Sequence, residues 1–322
     1  MGDRRRNHGG RKLLIAVALG PLCAAAADLP VHEVTSLAAR AGGIPVPAFQ
    51  RGYLYWLDHD TVRLYSPQGY PAFVKVLSVP VGTPPSADGL AVDSDGSVAV
   101  GVSYTTSSGY AGGIVFLDKN GIDIGFIDTG LYAPTNLSFG EDHSLWSFGW
   151  QRDPASPDRA DRQDYPTVRH YTADRKEAAR YLARSSFPKG LEPGMPSWQK
   201  QRITVSRDKV GLLAYSGKVG TSIEWVELDC NGNLLRRVPI SLSSDLVGSE
   251  FAFTSDSHLY WKKEQRSDRL LVLNNTTPDW QDAGLSPGRQ LMGADGDQLV
   301  FTAGGAGPVD LHWFAQPTSK GP

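Results

Sequence analysis

Apolar residues along most of this chain alternate with polar ones over short stretches, and each stretch ends at a turn rich in Gly, Asp or Asn. Short alternating segments bounded by such turns predict β-strands rather than helices. Several segments share one plan, an apolar strand, a polar turn carrying Asp and a second apolar strand. They are GLAVDSDGSVAV from Gly89, NLSFGEDHSLWSF from Asn136, RITVSRDKVGLLAY from Arg202, EFAFTSDSHLYW from Glu250 and QLMGADGDQLVF from Gln290.

The segments recur at a nearly constant interval. A looser copy, VPAFQRGYLYWL, begins at Val46, and the successive starting points are separated by 43, 47, 66, 48 and 40 residues. A period in the forties with several strands per unit is typical of a β-propeller. The longest interval holds a stretch rich in Pro and charge instead of another strand pair, which favours six blades over seven.

The second half of each unit also repeats, and it predicts a further hairpin. Asn120-Gly121 and Asn231-Gly232 supply the positive backbone angles that tight turns between strands need. The stretch Ala173–Arg184 contains good helix formers, so a helix there is the alternative to the hairpin that its place in the repeat predicts.

The two ends of the chain complement each other. The last unit contributes VDLHWFAQ from Val309 and then ends one strand short, whereas LPVHEVTSL from Leu29 is a strand-like piece before the first unit. Pairing the two completes the last blade and removes two unpaired sheet edges. We therefore expect an all-β, six-bladed β-propeller of four-stranded antiparallel blades, closed by its N-terminal strand. It spans residues 28–317 as one domain, with residues 318–322 as a disordered tail. An unpaired Val31–Ser36 contradicts this expectation.

Two stretches carry a resemblance to known families. ADGLAVDSDGSVAV from Ala87 and APTNLSFGEDHSLW from Ala133 resemble the repeats of NHL-like and YVTN-like propellers and of gluconolactonase-like propellers. The resemblance covers nearly the whole chain after its N-terminal leader. Because these families include scaffolds, ligand binders and enzymes, it implies the fold far better than the function.

The first 27 residues differ from the rest. Five basic residues precede the mostly apolar run Leu13–Cys23, and four alanines follow it. This is the plan of a secretory signal peptide cleaved near Ala27, and it predicts a secreted or periplasmic protein. The remaining chain has 27 basic and 33 acidic residues, a net charge of −6, which disfavours nucleic acid and anionic membranes as partners. Cleavage also removes Cys23 and leaves Cys230 without a disulfide partner, and we expect this thiol to be inert.

Candidate binding residues lie where the first strand of each unit begins. In a propeller these strands line the central channel, and the loops entering them form one funnel-shaped face. The residues predicted there are Asp88, Asn136, Arg202, Glu250, Arg289 and Gln290. The same face is expected to carry the loops Ser103–Gly112, Gln151–Pro166, Gly217–Thr221 and Arg266–Asp268, of which Gln151–Pro166 is the longest and is either a lid or disordered.

The gluconolactonase-like resemblance implies a divalent metal in this funnel. Asp88, Asn136 and Glu250 have the oxygen donors that Ca²⁺ prefers, and Ca²⁺ or Zn²⁺ is the alternative to a protein without a cofactor. The first unit departs from the pattern, since no glutamate stands near Ala48 and Phe49. Arg202 and Arg289 also place positive charge nearby, which suits an organic anion better than a cation.

Other chemistry has little support in the sequence. Nucleophile-elbow, zinc-protease and phosphate-loop motifs are absent. His143 and His258 fall in turns on the opposite face and are interpreted as solvated. The recurring turn aspartates are interpreted as caps of neighbouring backbone amides, and five tryptophans as core wedges. The aspartates are Asp93, Asp95, Asp142, Asp208, Asp256 and Asp295, and the tryptophans are Trp56, Trp146, Trp225, Trp261 and Trp313.

The function expected from these observations is a non-catalytic, monomeric propeller that binds a protein partner or a small polar ligand through the funnel face. The competing expectation is a metal-dependent, lactonase-like hydrolase with Asp88, Asn136 and Glu250 as ligands. A cofactor-dependent dehydrogenase is a third class, for which no specific residues are found.

Overall fold

A computed structural model describes the chain in segments. They are residues 32–39, 48–66, 70–151, 164–188, 191, 193–194, 201–215, 223–240, 250–255, 258–262, 269–274, 277–284, 290–302 and 309–315. The predicted signal peptide, the C-terminal tail, Arg289, the loops Gly217–Thr221 and Arg266–Asp268 and most of the Gln151–Pro166 insertion lie outside them.

The described strands form six four-stranded antiparallel sheets. The first strand, β1, is His32–Ala39. Sheet 1 contains β2 (Ala48–Gln50), β3 (Tyr53–Asp58), β4 (Thr61–Tyr65) and β5 (Pro71–Val76). Sheet 2 contains β6 (Ser86–Val92), β7 (Val98–Thr106), β8 (Gly109–Leu117) and β9 (Asp123–Gly130). Sheet 3 contains β10 (Tyr132–Phe139), β11 (Leu145–Gln151), β12 (Pro166–Tyr171) and β13 (Glu177–Ala183).

The remaining sheets follow the same plan. Sheet 4 contains β14 (Ile203–Val205), β15 (Lys209–Tyr215), β16 (Ile223–Asp229) and β17 (Leu234–Ile240). Sheet 5 contains β18 (Glu250–Phe253), β19 (Leu259–Lys262), β20 (Leu270–Leu273) and β21 (Trp280–Asp282). Sheet 6 contains β22 (Gln290–Asp295), β23 (Gln298–Thr302) and β24 (Val309–Ala315), together with β1. β1 pairs antiparallel with β24, so that His32 lies opposite Ala315 and Ala39 opposite Val309.

The apolar residues of each sheet pack against the neighbouring sheets. One buried cluster joins sheets 1 and 2 and another joins sheets 2 and 3. Further clusters join sheets 3 and 4, 4 and 5, and 5 and 6. A smaller cluster of Phe49, Leu54, Val300 and Leu311 joins sheet 6 to sheet 1. The prediction of an all-β propeller with four-stranded antiparallel blades is therefore confirmed.

The aromatic wedges behave as predicted where their side chains are described. Trp146, Trp225 and Trp261 are buried in the clusters between sheets, and Trp56 is partly buried on β3. Trp313 lies on β24. Large flat side chains at these positions remove much apolar area from water, which stabilises the contact between neighbouring blades.

Sheets 2 and 3 approach each other at backbone distance because three glycines leave room. A Cβ atom on Gly89 would lie 2.3 Å from the Thr135 carbonyl oxygen, and one on Gly101 would lie 1.8 Å from that of Pro134. On Gly112 it would lie 2.0 Å from the carbonyl oxygen of Tyr132, the first residue of β10.

The stretch Ala173–Arg184 is a hairpin, so the alternative of a helix is wrong. β12 and β13 pair with His170 opposite Ala179, and the Thr172 N–H donates to the Lys176 carbonyl across the turn. Only one 3₁₀ turn, Arg184–Ser186, follows β13. Pairing with β12 outweighs the helix propensity of this segment, as tertiary context commonly does.

The prediction of a loop over Ser103–Gly112 is wrong. β7 continues to Thr106 and β8 begins at Gly109, with Ser103 paired to Gly112. Tyr104 is buried in the cluster between sheets 1 and 2, which explains why the strands extend this far. Among the described residues, no helix is long and apolar enough to cross a membrane.

Candidate functional site

The described residues of the predicted site lie on the innermost strand of their sheets or directly before it. Asp88 lies in β6, Asn136 lies in β10, Arg202 directly precedes β14, and Glu250 and Gln290 begin β18 and β22. First strands of several neighbouring sheets contact one another, as β6 does β10, β10 does β14, β18 does β22 and β2 does β22.

Asn136 and Arg202 are joined by a hydrogen bond between sheets 3 and 4. The Arg202 backbone N–H donates to Oδ1 of Asn136 at 3.2 Å, and the Asn136 amide donates to Oγ1 of Thr135 at 3.1 Å. Asn136 is buried, so both halves of its amide are engaged inside the protein.

The same arrangement recurs around the innermost strands. Polar side chains of one sheet accept a backbone N–H from the next, in Gln50–Val92 at 2.9 Å, Ser138–Val205 at 3.2 Å and Glu250–Leu291 at 2.7 Å. The first strand of a blade has one edge without a neighbouring strand, and its buried N–H groups need partners. We call these contacts the inter-blade braces. The sequence did not predict them, because each acceptor lies far along the chain from its donor.

Glu250 differs from the other braces because it is a carboxyl group in a buried position. Burial raises its pKa to about 7, against the opposing effects of the Leu291 N–H, of Lys262 and of the Gln290 side chain. Lys262 lies opposite on β19, fully buried, with Nζ 3.9 Å from Oε2. Burial lowers the pKa of Lys262. Among the described residues no hydrogen bond of ordinary geometry reaches Oε1 of Glu250, although the Gln290 amide lies near the carboxyl.

Asp88 is a second carboxyl group with a raised pKa. Burial raises its pKa to about 6, and a hydrogen bond from the Ser103 side chain opposes the shift. The residue is partly exposed, as is Gln290. Among the described members of the predicted set, these two side chains are therefore the accessible ones.

The guanidinium of Arg202 is turned into the protein. It donates from Nη1 to the Pro193 carbonyl oxygen at 3.2 Å and lies 5.7 Å from the centre of the Phe148 ring. Only 2% of the residue is exposed. This placement stabilises the contact of sheet 4 with the chain before it.

The oxygen donors predicted for a divalent metal do not form a free ligand set. Asn136 Oδ1 and Glu250 Oε2 accept backbone hydrogen bonds, and the Lys262 ammonium faces the same carboxylate oxygen. In the described part of the chain, no three His, Cys, Asp or Glu side chains lie close enough to share a metal ion. Two of the three predicted donors are therefore already engaged within the protein, and the set does not present three free oxygen ligands to a hard cation.

The turns on the opposite face hold a charged cluster that the sequence interpretation missed. Asp93 is buried, its Oδ2 lies 2.9 Å from Nδ1 of His143, and its Oδ1 lies 3.3 Å from Nη1 of Arg51. The interpretation of His143 as merely solvated is therefore incomplete, because its ring links two sheets while remaining half exposed. Asp95 and Asp142 cap the N–H groups of Ser97 and Ser144, as predicted.

Cys230 is exposed, and the cause that most raises the pKa of its thiol is partial burial. A raised pKa keeps a thiol protonated and poorly nucleophilic near neutral pH. Its Sγ lies 3.8 Å from the Arg207 carbonyl oxygen.

The fold and these sites together define an all-β propeller with polar groups at both ends of its inner strands. No family model matches the chain, and no curated protein matches it. Its solved structural neighbours include a gluconolactonase from Xanthomonas campestris, with 15% identity, a TM-score of 0.48 and coverage of 89% of this chain and 95% of that one. Another is a member of the DUF4221 family from Bacteroides vulgatus, with 10% identity, a TM-score of 0.48 and coverage of 89% and 98%.

A third neighbour is BBS1N, solved in complex with ARL6DN, with 10% identity, a TM-score of 0.45 and coverage of 86% of this chain and 79% of that one. The β-propeller fold in general occurs in enzymes and in partner-binding proteins alike, so the fold alone does not identify a function.

Proposed function

We propose that this protein is an exported, non-catalytic β-propeller that binds a small polar ligand where its innermost strands begin. The observation that carries the proposal is the Glu250 carboxyl beside the partly exposed Gln290 side chain; its Oε1 is buried and lacks a hydrogen bond of ordinary geometry among the described residues. A buried acceptor left in this state costs free energy unless a ligand or water supplies a donor.

The surrounding charges favour a neutral ligand rich in hydroxyl groups. A cation would meet the Lys262 ammonium beside Glu250, and an anion would meet the carboxyl of Glu250 itself. A neutral polyol or sugar donates its hydroxyl hydrogens to such carboxyls and accepts from the amide of Gln290 without bringing a charge.

The scaffold we propose for this site is a closed, monomeric, six-bladed ring. Support comes from the pairing of β1 with β24 and from the apolar cluster between sheets 6 and 1. Closure holds the strand ends at constant separation, which pre-organises a site built from several blades. Export is supported by the basic, apolar and small-residue plan of residues 1–27.

The test is a calorimetric titration of the full protein with three neutral sugars, D-glucose, D-xylose and maltose. We expect saturable binding of at least one, weakened about ten-fold in Asp88→Asn, because this change removes an acceptor that a hydroxyl prefers. Asp128→Asn, at an exposed carboxyl on β9, is the matched control and should bind normally. Absence of binding by all three sugars, or equal loss in both variants, contradicts the proposal.

The same protein preparation also tests the lactonase-like alternative, in which the propeller is a metal-dependent hydrolase. Elemental analysis followed by Ca²⁺ and Zn²⁺ titration measures whether a divalent ion binds in stoichiometric amount. Tight metal binding that disappears in Glu250→Ala, together with metal-dependent hydrolysis of δ-gluconolactone, would identify the protein as a hydrolase and contradict the binding-module proposal.

A further inference from the structure

A cavity lies on the face opposite the proposed sugar site. Its volume of about 490 Å³ is within the usual range for small-molecule sites. It lies between sheets 2 and 3. Its boundary is formed by the turns 93–97, 118–122, 140–144 and 172–176, and we call it the turn-face cleft. Its apolar wall consists of Val98, Phe116, Leu117, Ile124, Phe139 and Leu145.

The carboxylates around the turn-face cleft are occupied by the protein itself. Asp93 is paired with Arg51 and His143 and accepts the Ser94 N–H. Asp95 accepts the Ser97 N–H at 2.8 Å. Asp118 accepts the N–H groups of Asn120 and Ile122 across its hairpin turn. These contacts occupy oxygen atoms of the carboxylates, whereas Asp95 and Asp118 remain ionised, because the hydrogen bonds lower their pKa values.

The cationic and donor groups of the cleft have open positions. The Lys119 side chain is exposed, and among the described residues it forms no ion pair. His143 uses Nδ1 for Asp93, which leaves Nε2 as its outward nitrogen. Arg175 donates from Nη1 to the Ile124 carbonyl oxygen, and its guanidinium lies 4.8 Å from the Phe116 ring centre. Its other N–H groups are therefore available to donate to a ligand.

Backbone geometry singles out two of these residues. His143 has φ of 62° and Arg175 has φ of 67°, both in the left-handed region. In the equivalent turns of sheet 2 the position is glycine, at Gly96 with φ of 85° and at Gly121 with φ of 79°. Arginine in this region costs about 1 kcal/mol relative to glycine, whereas histidine is tolerated somewhat better. A long cationic side chain kept at a glycine position indicates a use for the side chain itself.

We propose that the turn-face cleft binds a small amphipathic organic anion. Its carboxylate lies toward Lys119, His143 and Arg175, which donate charge-assisted hydrogen bonds. Its apolar body lies on the wall formed by Phe116, Phe139 and Leu145, where burial of apolar area adds affinity. This site is independent of the sugar site on the opposite face.

His143 gives the cleft a dependence on pH. The hydrogen bond to Asp93 raises the pKa of His143, Asp95 raises it further and Arg51 lowers it. The other charged groups of the cleft are Asp118, Lys119 and Arg175, and Glu141 and Asp142 lie in the same turn as His143. Binding of an anion should strengthen as the pH falls from 8 to 6, because protonation of His143 adds a positive charge and a donor.

The experiment titrates the full protein with 1-naphthoate and with its neutral isostere 1-naphthamide. We expect saturable 1-naphthoate binding about ten-fold tighter than that of the amide, since a charge-assisted hydrogen bond is worth roughly that factor. Lys119→Gln should weaken 1-naphthoate about ten-fold and leave the amide unchanged. Lys176→Gln, in the equivalent hairpin turn but paired with Asp174, is the matched control and should bind normally.

His143→Asn completes the test, because asparagine also tolerates a positive φ and the turn is therefore retained. In this variant the pH dependence of 1-naphthoate binding should disappear, with unchanged folding by circular dichroism. Equal affinity for the acid and the amide, an unaffected Lys119→Gln, a pH dependence retained without His143, or no saturable binding would each overturn the proposal.

Discussion

Glu250 and Lys262 face each other across β18 and β19, and their shifted pKa values have one cause. Both side chains are withdrawn from water, which disfavours the charged form of each. Their mutual attraction across 3.9 Å offsets only part of that cost. Glu250 therefore changes its charge in the neutral pH range, and the pKa of Lys262 lies below its ordinary value.

The stability of the fold should fall as the pH rises from about 4.5 to about 7. Because the folded-state pKa of Glu250 is about 7, against 4.5 ordinarily, the folded protein holds this proton more tightly than the unfolded chain. The contribution is present in full below pH 4.5 and is lost through pH 7; it is on the order of 2 kcal/mol. Asp88, whose folded-state pKa is about 6, also makes the stability fall as the pH rises, whereas the lowered pKa of Lys262 has the opposite effect on stability.

Urea unfolding between pH 4.5 and 8 measures this slope. Glu250→Gln should flatten it, since the glutamine oxygen still accepts the Leu291 N–H but has no proton to lose. Glu141→Gln, at an exposed position, is the control and should keep the wild-type slope. A slope that Glu250→Gln leaves unchanged would assign the pH dependence to other groups.

At the scale of single elements, the inter-blade braces determine how neighbouring first strands meet. Each brace supplies an acceptor for a backbone N–H at the edge of the next sheet, as Asn136 does for Arg202. Such an N–H is buried and has no neighbouring strand to bond with. The polar residues that look like a channel lining in the sequence therefore have a structural role as well.

Asn136→Ala should destabilise the protein by about 2 kcal/mol, because it leaves the buried Arg202 N–H without its acceptor. Asn231→Ala, in an exposed hairpin turn of sheet 4, should change the unfolding free energy by less than about 0.5 kcal/mol. Chemical denaturation of both variants measures the difference. Equal effects would mean that the Asn136 brace contributes no net stability.

At the scale of the whole molecule, the pairing of β1 with β24 joins the two ends of the chain. Without β1, sheet 6 has three strands and an exposed edge at β24. An exposed edge invites pairing with other chains. Closure is therefore expected to control both thermal stability and aggregation.

Deleting residues 1–39 should lower the melting temperature by about 10 °C or more and cause concentration-dependent association. Deleting residues 1–30 removes the predicted signal peptide but keeps β1, and this protein should behave as the mature form does. Calorimetry and light scattering distinguish the two. If both deletions melt alike and stay monomeric, closure by β1 contributes nothing and the ring proposal fails.

Much of the architecture followed from local pattern. Strand alternation, Asn-Gly turns and the repeat interval predicted the hairpins, including the one over Ala173–Arg184. The same patterns wrongly predicted a loop over Ser103–Gly112. There Tyr104 is buried in the cluster between sheets 1 and 2, and the two strands extend further than their own sequence pattern indicates. Glu250 and Gln290 begin their innermost strands as predicted. Asp88 and Asn136 lie inside theirs, because β6 and β10 begin earlier than the sequence pattern indicated.

The sequence by itself determined the repeated four-stranded unit, because alternation and turn chemistry act between residues close along the chain. Only the tertiary structure decided which polar groups meet. Asp93 reaches Arg51 and His143 from other sheets, and Glu250 reaches Leu291 in the same way. Such contacts join residues about forty to fifty positions apart, roughly one repeat, and they form only when neighbouring blades pack. The turn-face cleft exists for the same reason, since its walls come from two blades.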